Sequence, residues 1–87
     1  MSRKVLKFYA EWCAPCKVLS NKLEGVTTSL QIESVDIEQN KELVTKYGVR
    51  SVPTMIMLED DGSGWVELKR LSNSGLKPQE LETWLNG

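Results

Sequence analysis

Histidine is absent from this chain. Its absence removes His-based triads, His general bases and His metal ligands in one step. Any chemistry must run on Cys, Lys, Asp, Glu, Tyr or backbone groups. Long apolar runs are missing too, and the longest are too short to cross a bilayer. The start, Met1-Ser2-Arg3-Lys4-Val5, has charge but no extended apolar stretch behind it, which argues against a secretory signal. A cytoplasmic protein is expected, unless a signal was removed before Met1. Charge of neither sign is in excess: 11 basic and 12 acidic residues leave a net charge of -1. No basic stripe stands out, so neither nucleic acid nor a membrane is an expected partner.

What remains is an ordinary globular composition, with 40% hydrophobic and 26% charged residues in 87. That length suits one domain over residues 1–87. A chain this short buries roughly 60% of its unfolded surface, a modest core.

Val5 to Ala10 reads as a short strand. Pro15 sits where a helix can open, and Val18, Leu19, Leu23 and Val26 give it an apolar stripe that Gly25 ends. Leu30/Ile32 and Val35/Ile37 are apolar pairs out of phase by one residue, which predicts a strand with a bulge or bend. Asn40 can cap a second helix bearing Leu43, Val44 and Tyr47, ended by Gly48. Thr54 to Leu58 is continuously apolar, as in a buried strand. Asp61-Gly62-Ser63-Gly64 signals a turn, and Trp65 to Leu71 reads as the returning strand. Pro78 opens a last helix with Leu81, Trp84 and Leu85 on one face. The order β-α-β-α-β-β-α makes an α/β protein. Its first half is a right-handed crossover between parallel strands, and its second half is an antiparallel hairpin with a covering helix.

The 2 cysteines stand as Cys13-Ala14-Pro15-Cys16 between a strand and a helix. C-x-x-C alone is a weak signal, and the position strengthens it. A helix N-terminus carries partial positive charge and unpaired N–H groups, both of which stabilise a thiolate. The pKa of a Cys there falls from about 8.5 towards 7 or below. Cys13, at the front, is the expected solvent-facing nucleophile, and Cys16, one turn inside, can attack a mixed disulfide on Cys13. Structural zinc needs four ligands, which this chain cannot supply alone; a zinc or iron–sulfur site bridging a dimer is the remaining metal reading. A purely structural disulfide would close a very short loop, contributing about 2 kcal/mol against about 3 for a fifteen-residue loop.

The segment Phe8-Tyr9-Ala10-Glu11-Trp12-Cys13-Ala14-Pro15-Cys16-Lys17 resembles the thioredoxin active-site segment. Val35-Asp36-Ile37-Glu38-Gln39-Asn40 and Lys46-Tyr47-Gly48-Val49-Arg50-Ser51-Val52-Pro53-Thr54 are similar to thioredoxins in the same order. The likeness runs from about Val5 to Leu85 and omits the family's first strand and helix. It implies a minimal thioredoxin fold, with a four-stranded mixed sheet flanked by helices. It implies that Cys13 attacks a substrate disulfide and Cys16 resolves the intermediate. It also implies that Pro53 is the family's cis-proline, that Val52 before it pairs with substrate backbone, and that Trp12 is a platform beside the nucleophile. No bound cofactor is implied. Electrons are expected from a thioredoxin reductase-like donor using NADPH, the substrates are protein disulfides, and the protein is expected to be a monomer. Trp65 and Trp84 read as core or surface anchors.

Several positions depart from the family. Ala14 and Ser51 stand where Gly is usual, and Tyr9 where Trp is usual. The family's groove glycine does not align cleanly near Ser74-Gly75. Lys7 occupies the place of a buried Asp, and Ser34 that of its paired Lys. Lys7 shares a strand face with Val5 and Tyr9, so it starts from a buried position. Its ammonium can snorkel or pair with Glu33, Asp36 or Glu38, or lie near Cys16 and tune its pKa. Two other functions compete with a protein-disulfide reductase. One is a glutathione-dependent, glutaredoxin-like enzyme, a class that favours Cys-Pro-Tyr-Cys. The other is a thioredoxin-fold binding subunit in which redox chemistry is secondary.

Overall fold

The computed structural model describes residues 2–87. Its elements are β1 (Ser2–Tyr9), α1 (Ala14–Glu24), β2 (Gln31–Asp36), α2 (Lys41–Tyr47), β3 (Thr54–Asp60), β4 (Trp65–Leu71) and α3 (Pro78–Asn86). The four strands form one mixed sheet in the order β2-β1-β3-β4. β1 runs parallel to β2 and antiparallel to β3, and β4 returns antiparallel to β3. The α1 crossover makes the first pairing parallel, and the turn at 61–64 makes the last antiparallel. In that turn the Asp60 carboxylate accepts the N–H groups of Gly62 (2.7 Å) and Gly64 (3.2 Å).

Alternation along the central strands splits the core into two layers. On one face Val5, Met55 and Met57 pack with Leu19 of α1 and Leu81 and Leu85 of α3. On the other, Leu6, Phe8, Val35, Ile56 and Leu58 meet Leu43, Val44 and Tyr47 of α2. Each fully buried side chain of this size contributes about 1.5–3 kcal/mol by leaving water. Coverage of both faces explains the unbroken apolar run of β3.

The two-layer core also corrects the expectation for β2, an edge strand that contributes apolar side chains to both layers. Its pairing with β1 runs without interruption from Lys4↔Gln31 to Tyr9↔Asp36. Leu30 and Ile32 pack into the first layer, Val35 and Ile37 into the second. The apparent slip is therefore regular alternation serving two layers. The register shift lies instead between β3 and β4, at Met57/Leu58.

Two local expectations also change. Asn40 precedes α2, but its side chain caps nothing; its Nδ2 donates to the Asp36 carbonyl at 3.0 Å. Gly48 ends that helix at φ 62°, a left-handed conformation that only glycine adopts freely. In α1 the stripe is Leu19, Leu23 and, just beyond it, Val26, whereas Val18 is 45% exposed.

Candidate active site

β1 ends at Tyr9, and the chain turns into α1 over the next residues. The N–H of Cys13 donates to the Ala10 carbonyl at 3.1 Å, which holds the turn. Cys13 is the N-cap of α1, with φ -89° and ψ 104°, and Pro15 occupies the first turn, where its missing N–H leaves no gap. An N-cap side chain normally offers oxygen to the free helix N–H groups. Here sulfur does so, because the N–H of Cys16 donates to Cys13 Sγ at 3.2 Å. Cys13 and Cys16 are joined as a disulfide, with their Cα atoms 5.3 Å apart.

Exposure does not separate the two cysteines as expected. Cys13 is 3% and Cys16 4% exposed, so Cys13 is not a solvent-facing residue. Ala10 packs with both, and Tyr9, Ile37 and Val52 close over them. What distinguishes Cys13 is its place at the cap: the helix dipole and an N–H group address its sulfur and would stabilise its thiolate.

The other expected residues fall around this pair. Trp12 is 68% exposed beside Cys13. The Val52–Pro53 peptide is cis, Pro53 is buried, and Val52 packs against the cysteines. Trp12 and Val52 together line a cavity of about 150 Å³, with Ile37 and Arg50 among its other walls. Trp65 and Trp84 lie elsewhere. The Lys4 ammonium sits 4.5 Å from the Trp65 ring centroid, and Lys69 sits 5.0 Å from that of Trp84.

Lys7 is half-buried in the layer shared with α1, and its Nζ donates to Ser20 Oγ at 2.8 Å. None of the carboxylates expected as partners forms an ion pair with it. Glu33 faces Lys4 at 4.0 Å, Asp36 Oδ1 accepts the N–H of Glu38, and Glu38 is itself exposed. Desolvation lowers the Lys7 pKa, with no counter-charge to oppose it. Ser20 was not singled out from the sequence. The available signal was its spacing, four residues after Cys16 and so on the same helix face. Ser20 and Cys16 line one cavity of about 470 Å³ together with Tyr9, Glu11 and Lys17. Among the described residues, no group of three or more His, Cys, Asp or Glu side chains could hold a metal ion.

The Thioredoxin family model matches residues 1–86. The chain belongs to the thioredoxin family. It is 39% identical over 82 residues to the SPbeta prophage-derived thioredoxin-like protein YosR of Bacillus subtilis, covering 94% of each chain. It is 40% identical over 57 residues to the thioredoxin of Bacillus subtilis, spanning 61% of this chain and 55% of that one. A thioredoxin mutant from Halobacterium salinarum superposes with a TM-score of 0.80 at 27% identity, over 97% of this chain and 72% of the other. Trichomonas vaginalis thioredoxin shares the fold at 22% identity, with a TM-score of 0.78, over 95% of this chain and 76% of that one. With its cysteines at C-x-x-C spacing, this member of the family is a thiol–disulfide oxidoreductase.

Proposed function

We propose that the chain, read as one domain over residues 1–87, reduces disulfides of protein substrates in two steps. In the dithiol state the Cys13 thiolate attacks a substrate disulfide. A Cys13–substrate mixed disulfide forms, and one substrate sulfur leaves as a thiolate that takes up a proton. Cys16 then loses its proton and attacks Cys13 Sγ. The Cys13–Cys16 disulfide forms, the second substrate sulfur is released and protonated, and two electrons have passed from the dithiol to the substrate. The observation that carries this assignment is the N–H of Cys16 held 3.2 Å from Cys13 Sγ at the helix cap. It favours the anion on Cys13, which makes Cys13 the attacking sulfur and Cys16 the resolving one.

The cavity between Trp12 and Val52 supports a substrate-docking role for both residues. Pro53 holds the loop whose preceding residue, Val52, packs on the cysteines and would meet substrate backbone there. Regeneration falls to an NADPH-dependent, thioredoxin reductase-like donor, and the chain acts as a cytoplasmic monomer without a bound cofactor. Insulin reduction tests the reading. Turnover with thioredoxin reductase and NADPH is expected, with little when glutathione is the donor. Turnover with glutathione alone would make it a glutaredoxin-like enzyme. No turnover with either donor, while a partner assembly survives loss of both cysteines, would make it a binding subunit.

A further inference from the structure

Lys7 is a half-buried charge that the two-step exchange leaves unused. It comes from β1, and its surroundings give it little to answer its charge. β2 presents Ser34 in register with it, β3 presents Met55, and α1 presents Ser20. The charged groups on the cavity wall beyond Ser20 are Glu11 and Lys17, with the Tyr9 phenol beside them. Among the described residues no salt bridge includes Lys7. Its hydrogen bond goes to a hydroxyl, at 2.8 Å, and that hydroxyl lines the cavity that reaches Cys16. An ammonium that donates to Ser20 Oγ leaves the Ser20 O–H free to donate onward. Ser20 and Cys16 line that cavity together without a direct hydrogen bond between them, so onward donation towards the Cys16 sulfur runs through water in the cavity.

We propose that Lys7 and Ser20 form a donor relay that stabilises the Cys16 thiolate at the resolving step. The inference rests on the resolving role given to Cys16 above. Lys7 remains an ammonium throughout and transfers no proton. The Cys16 proton leaves to water in the cavity, the sulfur keeps the electron pair that attacks Cys13 Sγ, and the relay stabilises the transient negative charge. Glu11, on the same wall, acts in the opposite direction, and Lys17 reinforces the relay. Lys7 and Ser20 are positioning residues in this account, because their effect reaches the reacting sulfur through a hydroxyl.

The test reads the Cys16 thiol alone, in a Cys13→Ser background, by ultraviolet thiolate absorbance against pH. Lys7→Met, which keeps the stem and removes the charge, is expected to raise the Cys16 pKa by about one unit, a loss of about tenfold in thiolate at neutral pH. Ser20→Ala is expected to raise it in the same direction by less, and Lys7→Arg to leave it near the starting value. An unchanged pKa in folded Lys7→Met overturns the proposal. So does a shift in Lys7→Met with none in Ser20→Ala, because the charge would then act without the hydroxyl. Should Lys7→Met fail to fold, Ser20→Ala decides alone: a raised pKa supports the relay and an unchanged one overturns it. The titration needs no turnover, so it stands apart from the insulin assay, whose failure would refute the reductase reading instead.

Discussion

The backbone N–H of Cys16 donates to the Sγ of Cys13 across 3.2 Å, so the sulfur of one active-site cysteine caps the helix that carries the other. The two residues are almost equally buried, at 3% and 4%, so residue exposure does not separate them. The cap supplies a difference in charge state, because its N–H group addresses the Cys13 sulfur. In the reduced protein iodoacetamide at neutral pH should therefore alkylate Cys13 at least about tenfold faster than Cys16, as a thiolate favoured by one pKa unit or more would. Peptide mass mapping at partial reaction reads the ratio. Equal labelling, or faster labelling of Cys16, would remove the cap from the account.

The lowered pKa of Lys7 has a consequence for stability. The unfolded chain binds the proton more tightly than the folded one, so stability rises with pH through the interval below 10.5, the ordinary Lys value. At neutral pH the folded state carries the full desolvation cost of the ammonium. Lys7→Met removes that cost, and its melting temperature should exceed the parent's at pH 7. The margin should shrink as pH climbs towards 10.5. A variant that is less stable at neutral pH, or a margin that grows with pH, would contradict the sign.

Trp12 is 68% exposed and shares a cavity wall with Val52. Trp12→Ala should slow reduction of a protein disulfide by about fivefold, the equivalent of about 1 kcal/mol. Exchange with a small aromatic disulfide should stay close to the parent's rate. Equal slowing of both substrates would show that Trp12 shapes the thiol rather than the docking surface.

The cover of the α1 face depends on α3. Leu81 is 0% exposed and belongs to the layer holding Leu19, Met55 and Met57. Leu81→Ala should cost about 2–5 kcal/mol in urea unfolding, from lost transfer energy plus the cavity left behind. A loss below about 1 kcal/mol would mean that α3 contributes little to the core.

Element order and sheet class were legible because hydrophobic pattern and punctuation agree over most of the chain. Met55 to Leu58 is apolar on successive residues, as two-sided burial requires, and Gly48 stops α2 where a positive φ is needed. β2 was misread for the same physical reason that β3 was read well. A strand that sends apolar side chains into both layers shows no single phase, and its two apolar pairs look like a slip. At the site, the cysteines are local in sequence and could be read together with the helix start. Their equal burial depends on Ala10, Ile37 and Val52, which arrive from three separate segments. The Lys7–Ser20 contact joins residues 13 apart, and the sequence shows no direction in which a flexible lysine stem leans. Val52 and Pro53 were linked to the site only through their likeness to thioredoxins, since nothing in their own chemistry points at a thiol.

The division of labour between the two cysteines is tested most directly by trapping. Cys16→Ser, incubated with a disulfide-containing protein and quenched with acid, should accumulate a mixed disulfide through Cys13, visible by intact-mass spectrometry and removed by dithiothreitol. Cys13→Ser should accumulate far less. A Cys16→Ser protein that releases reduced substrate at the parent's rate, or a mixed disulfide that forms through Cys16 instead, would contradict the two-step account.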